Sequence, residues 1–477
     1  MRRLAAVGVL WAALLSAMAI NGYPFFYWDT SGYVNPAVFE NIRSSYYAIF
    51  IKAQFACGLS PVEVAVVQSL IVLILLIALF SIVGISVERT SFCAAPILGV
   101  STLPAHAVFL MPDIFVGLSV VALFGCLELQ VDNFSSKALY AFLASLVVFS
   151  FGSHSSAPFV LLFLGIVFVL LFRKEAGARR RLKMVAVLML GALVLSIVES
   201  RVRTKVFGIA SPGEAFLAAR FAEEGLIEKY LPEICRKDPA IKLCTYPTSE
   251  IPRELDLFLW GGRKPSDNIQ DIYGTPGEDF SAFKNSRRDL AVVNRTILAE
   301  ENLGLLRFIP RRIRQAISLH RSLDEMKDVG VASDINIMST LERLERRFPG
   351  IKNEILRRSA QVNPKRNGAM RRYVALISYF APVFLLLHLI ALWCLRNRNS
   401  RIFRFALFSL LAIGCNLIVC ATLSSPHATR LYDRLGWLSA LVAALWASSE
   451  LDKRVGEACR WSARLRWSGV CGGCGGQ

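Results

Sequence analysis

The chain lacks the short motifs by which soluble enzymes hold a cofactor or a nucleophile. Among its 477 residues there is no glycine-rich phosphate-binding loop, no His-Glu-x-x-His and no Gly-x-Ser-x-Gly. Nucleotide hydrolysis through such a loop, zinc hydrolysis through that helix and acyl transfer through a nucleophile elbow therefore have no basis here. No internal repeat is evident. The terminal Cys-Gly-Gly-Cys-Gly-Gly has the spacing of half a zinc site, but no second cysteine pair lies near it, so it reads as a flexible tail. Acids are also scarce, with 36 Asp and Glu against 54 Lys and Arg.

Long apolar runs fill the space those motifs leave. More than half the residues are apolar (54%), and stretches of about 20 apolar residues, the length that spans a bilayer core, recur along nearly the whole chain. About ten spans are expected, near residues 4–20, 61–84, 92–110, 112–129, 138–152, 156–172, 183–199, 373–395, 402–423 and 434–449. The span at 92–110 is interrupted by Pro96 and Pro104, which is tolerated where neighbours or water satisfy the freed backbone groups. The fold class expected is an all-α polytopic membrane protein. Its first nineteen residues, "MRRLAAVGVLWAALLSAMA", also fit a signal peptide, yet residue 21 starts on the outer side in either case.

Basic residues in short loops set the orientation. With the N-terminus inside, Arg89, "RKEAGARRRLK" (173–183), "RNRNSR" (396–401) and the tail "DKRVGEACRWSARLRW" all fall inside, and the short outer loops 103–112, 152–157 and 424–433 are poor in Lys and Arg. The expected location is a bacterial inner membrane with both termini cytoplasmic. The net charge of +18 is then mostly membrane-flanking, and no nucleic-acid partner is implied. One stretch resists the rule: "NPKRNGAMRR" (363–372) lies outside, beside the start of a span.

Four parts follow from these runs. Residues 1–199 form a block of about seven spans, 200–372 a mainly helical periplasmic domain inserted between spans 7 and 8, 373–449 a block of about three spans, and 450–477 a basic cytoplasmic tail. Within the inserted domain "SPGEAF" (211–216) has the form of a capping box, and "INIMSTLERLERRF" (335–348) carries apolar residues at helical spacing. Cys235 and Cys244 are the only cysteine pair there, and in an oxidising compartment they are a candidate disulfide. "SSYYAIFIKAQFACGLSP" (44–61) suits an interfacial helix.

On this topology the isolated polar groups gather on the outer side. Asp29 in "YPFFYWDTSGYVNP" lies in the first outer loop, and His106 and Asp113 of "LPAHAVFLMPDIF" flank the second. His154 of "FGSHSSAP" is at the third, and His427 and Arg430 of "SSPHATRLYDR" are at the last. Ionisable groups at membrane depth are costly and usually line a cavity or face a partner. Each residue alone has an ordinary role available: an Asx turn for Asp29, a helix start for Asp113 after Met-Pro. Together, two carboxylates with flanking histidines and arginine suit proton transfer from a hydroxyl or amine.

The order and sidedness of these residues resemble the GT-C superfamily of membrane glycosyltransferases, which includes lipid A aminoarabinose transferases and protein O-mannosyltransferases. "WDTSGY" supplies an Asp in the first outer loop followed by Tyr33, "MPD" supplies the second acid, and "PHATR" supplies a basic element near a late span. The likeness covers mainly residues 1–200 and the last outer loop. In many members, however, the outer domain lies at the C-terminus. The resemblance implies transfer of a sugar from a polyprenyl-phosphate carrier to an envelope glycan or lipid, by direct inverting displacement. Asp29 would take the acceptor's proton, and Asp113 would orient the acceptor or hold a divalent cation. Tyr33 and the histidines His154 and His427 would line the substrate. Arg430 and Arg43 would meet the carrier phosphate, with Lys365, Arg366, Arg371 and Arg372 as further candidates.

A transporter or flippase of a lipid-linked or small anionic substrate is the alternative, favoured by the proline-interrupted span. A third reading, an anchored scaffold, needs far fewer spans than this chain carries.

Overall fold

The computed structural model describes residues 1–27, 30–34, 45–172, 178–204, 213–245, 247–253, 258, 280–319, 335–363, 365–396, 400–423 and 433–470. Asp29, Arg43, His427 and Arg430 lie outside the described residues. The described chain is helical and holds no strand beyond one isolated bridge between Phe25 and Phe109. Six helices are long and apolar enough to cross a membrane. They are α1 (Arg2–Asn21), α4 (Pro61–Val83), α8 (Phe134–Ser153), α10 (Ala178–Thr204), α17 (Asn367–Leu395) and α18 (Arg401–Leu423).

The remaining apolar runs take other forms. The run at 92–110 is not one helix. Helix α5 (Val87–Gly99) ends three residues beyond its internal Pro96, and a five-residue helix, α6 (Leu103–Ala107), follows a turn. The turn closes on serine: Ser101 donates to Leu98 O and accepts from Leu103 N–H, and Pro104 starts the short helix. From Ser101 through Asp113 every residue is buried. Helix α7 (Asp113–Glu128) has only 16 residues, all buried, because α4, α8, α9 (Ala157–Phe172), α10 and α18 pack around it. The last helix, α19 (Trp437–Val470), begins with nine buried residues against α5, α17 and α18.

Helix ends obey local chemistry. A capping box, with Ser60 N–H donating to Glu63 at 2.5 Å, and Pro61 at the first position open α4. Helix α1 closes on Gly22 at φ 77°, where an added Cβ would lie 2.4 Å from Arg358 O. Only glycine fits both the left-handed turn and the approach of that distant backbone.

The inserted segment divides its apolar residues between two clusters. Helices α11 (Gly213–Glu223), α12 (Leu226–Lys237), α13 (Phe280–Glu301) and α14 (Phe308–Leu319) surround one of their own, including Ala218, Ile227, Leu231, Val293 and Ile297. Cys235 and Cys244 are joined by a disulfide beside it. Helices α15 (Ile335–Arg347) and α16 (Ile351–Arg358) instead give Leu341, Leu344, Ile351 and Ile355 to the main core.

One end of the bundle is held by paired cations. Arg404 grips Glu128 at 2.6 and 2.7 Å, Arg89 meets Asp452 at 2.7 Å, and Arg401 donates to Ile82 O at 2.7 Å. At the other end lie Asn21, Asp113, Ser153 and the 359–362 turn, the region where the candidate site is built.

Candidate functional site

The site begins with the backbone before residue 28. Phe25 N–H donates to Val108 O at 3.3 Å, and Phe25 O accepts from Leu110 N–H at 3.1 Å. Thr30 Oγ1 adds a bond to Leu110 O at 3.4 Å and accepts from Tyr27 N–H at 2.9 Å. Helix α2 (Thr30–Val34) follows at once, and its Tyr33 is buried edge-on to Tyr47 of α3 (Ser45–Ala56). The two loops that the sequence furnishes with carboxylates are therefore stitched together by main chain, where side-chain variation cannot loosen them.

Gln68 holds the second loop from below. This buried side chain of α4 donates to the carbonyls of His106, Ala107 and Phe109 at 3.2, 3.2 and 2.9 Å and accepts from Tyr47 hydroxyl at 3.0 Å. A loop buried on all sides needs partners for its carbonyls, and the two N–H groups of one amide are shared among three. The Tyr47 phenol is held well above its ordinary pKa by burial first, and then by electrostatic coupling to Tyr33 and Asp113. It therefore stays a hydrogen-bond donor.

Asp113 is the first residue of α7 and is 1% exposed. Neither carboxylate oxygen has a hydrogen-bond partner among the described residues, and the side chain makes no cap bond to its own helix. Its neighbours are charged or polar but stand off: Arg434 Nη1 at 3.9 Å and His154 Nε2 at 3.8 Å.

The reason lies in how Arg434 is occupied. This guanidinium, fully buried, donates from Nε and Nη2 to Asn416 Oδ1 at 3.0 and 2.7 Å, and from Nη2 to Ser156 Oγ at 2.6 Å. Cys420 Sγ lies 3.1 Å from the same nitrogen. Nη1 turns to the ring of His154, 3.1 Å from Nδ1 and 2.8 Å from Nε2. The ring nitrogen that receives that proton carries a lone pair, so His154 acts here as an acceptor. Arg434 presents charge to Asp113 without giving it a donor. A carboxylate out of water and without a donor is expensive. A hydroxyl, an ammonium or a cation arriving at Asp113 relieves that cost.

The backbone holds Arg434 as firmly as its partners do. Trp437 Nε1 donates to Arg434 O at 2.8 Å, and Thr102 Oγ1 donates to Asp433 O at 3.2 Å. Gly117 of α7 lets that ring in: a Cβ there would lie 2.7 Å from Trp437 and 3.0 Å from Arg434 O.

Of the residues expected from the sequence, Asp113 and His154 come together, and Tyr33 packs on Tyr47, whose hydroxyl reaches the Gln68 clamp. Cys235 and Cys244 are far along the chain in the separate helical cluster. Gln68, inside the apolar run of α4, was not anticipated, nor were three further participants. Arg434 opens the run assigned to the last span, Ser156 sits two residues after His154, and Asn416 interrupts "GCNLIVC" inside a span. A polar residue amid such a run is itself a signal, and Asn416 could have been singled out by it. Among the described residues no group of three or more His, Cys, Asp or Glu is placed to hold a metal ion. No family model, curated protein or solved structure matches the chain.

Proposed function

We propose that the protein is a GT-C-like glycosyltransferase of a bacterial inner membrane, moving a sugar from a polyprenyl-phosphate carrier to an envelope glycan or lipid on the periplasmic face. One observation carries the reading: Asp113 is a buried carboxylate without a donor among the described residues, under a loop stitched to the residues that flank Asp29. In this proposal Asp29 takes the proton of the acceptor hydroxyl or amine as that atom attacks the anomeric carbon. Asp113 accepts a second donor from the acceptor and fixes its orientation. The guanidinium of Arg434 keeps the charge of Asp113 from repelling the sugar phosphate.

The six long apolar helices supply six spans, and the apolar portions of α5 with α6, α7, α9 and α19 would bring the number to ten. With the N-terminus inside, the paired-cation end faces the cytoplasm and Asp113 the periplasm, as does the inserted helical segment. The polar cluster at one end of the bundle favours a reaction at the membrane surface over a transport site at its middle.

The test compares envelope glycans and lipid-linked sugars from cells carrying wild type, Asp29→Asn or Asp113→Asn, at matched insertion. Loss of one sugar from an envelope glycan, with its polyprenyl-phosphate donor accumulating, supports the transferase and names its substrates. Unchanged glycans in both variants would sink it and bring the transporter reading forward.

A further inference from the structure

We propose that the stretch from α16 into the start of α17 is a binding surface for anionic phospholipid headgroups in the leaflet at that end of α17. The inference stands apart from the transferase reading. Between residues 351 and 372 the chain carries seven basic residues against a single acid, Glu354. Six of them are exposed: Arg357, Arg358, Lys365, Arg366, Arg371 and Arg372. Glu354 is already engaged by Arg358 at 2.6 Å, and Arg366 donates to Arg358 O at 3.1 Å. The side chains of Arg357, Lys365 and Arg372 make no hydrogen bond or ion pair among the described residues. At the opposite end of the bundle Arg404, Arg89, Arg401 and Arg181 are engaged by Glu128, Asp452 and the carbonyls of Ile82 and Leu127.

Geometry sets this surface at headgroup depth. Arg372 is the last charge before 23 uncharged residues, 373–395, a length that fills the hydrocarbon core. Leu376, Tyr379, Val383 and Leu386 follow Arg372 at helical spacing, and all are exposed large hydrophobics, at 43, 71, 37 and 58%. Arg372 therefore heads an uncovered apolar stripe suited to acyl chains, with its guanidinium where a phosphate would sit. No acid lies in the first turn of α17, and the dipole of that helix disfavours cations at its N-terminus. A lipid phosphate supplies the missing counter-charge, and bidentate arginine suits it. The same surface explains why a basic stretch stands against the loop-charge rule.

The test uses the full-length protein in mild detergent, with phosphatidylglycerol or phosphatidylcholine of matched chains, bound lipid being counted by native mass spectrometry. Wild type is expected to prefer phosphatidylglycerol by at least about tenfold, each cation near an anionic headgroup layer adding roughly fivefold. The preference should vanish in Arg357→Gln/Lys365→Gln/Arg372→Gln, persist in Arg357→Lys/Arg372→Lys, and persist in Lys453→Gln/Arg454→Gln at the other end. Wild type without a preference, or a triple Gln variant that keeps it, would overturn the proposal. So would displacement of phosphatidylglycerol by inorganic phosphate, which would make this a site for soluble anions.

Discussion

Arg434 shows how one side chain can organise a site while leaving it unsatisfied. Its donors go to Asn416, Ser156 and His154, so Asp113 receives field but no hydrogen bond from it. Replacing Arg434 with Met should cost about 3–5 kcal/mol, because it strands Asp113 and the Asn416 carbonyl without their cation. The readout is a lowered thermal unfolding midpoint in detergent. In the double variant with Asp113→Asn the two costs should fall short of additive by about 0.5–3 kcal/mol, since the neutral amide no longer needs the guanidinium. Strict additivity would mean the two groups do not sense each other. At Gly117 the issue is space: Ala there should destabilise by about 1–3 kcal/mol, Trp437 having no room to retreat.

At the scale of elements, the buried segment 101–113 is the unusual one. It breaks a run that would otherwise have crossed as one helix, and Gln68 satisfies three of its carbonyls. Gln68→Leu keeps the volume but orphans those carbonyls. We expect normal membrane insertion with loss of the glycan product, the same phenotype as Asp113→Asn from a residue that touches no substrate. Full activity would mean the loop does not depend on the clamp. The α15–α16 turn carries a pH dependence. Gly350 and Lys352 N–H groups, each at 2.7 Å, hold the Glu345 carboxyl below its ordinary range. The stabilisation is therefore complete above the ordinary Glu range and fades as pH falls through the depressed value. Amide protection at 350–352, corrected for intrinsic exchange, should drop on acidification and be insensitive to it in Glu345→Gln.

The whole molecule is a two-ended object, and that can be measured directly. Single cysteines introduced at Lys237 and at Lys453, in a background lacking reactive native thiols, should label with an impermeant maleimide from opposite sides of the membrane. Labelling of both from one side would overturn the proposed orientation and the periplasmic assignment of the inserted segment. The two apolar clusters divide that segment physically: α11–α13 carry their own core, α14 packs against α18, and α15–α16 belong to the bundle. The 359–362 turn makes the join. Ala360 N–H donates to Asn21 O at 2.6 Å, and Gln361 exchanges two bonds with the Phe26 backbone. A remote segment thereby buttresses the first loop, which a reading along the chain has no means to foresee.

The sequence by itself determined what solvent and chain chemistry dictate locally. Apolar length marks the membrane helices, glycine and proline mark where they end, and paired cysteines in the inserted segment mark a bond that nine residues of separation readily allow. Sidedness brought Asp113 and His154 under suspicion because charge at membrane depth is costly wherever it occurs. Tertiary structure alone decided that Arg434 reaches His154 across 280 residues, and that Asp113 goes without a donor among the described residues. It alone decided that α7, a helix of 16 residues, stands buried in the middle because five helices shield it. Hydrophobic length is a property of a segment, and periodicity reads it. Which donors remain for which acceptor is a property of packing, settled only when distant residues compete for the same bonds.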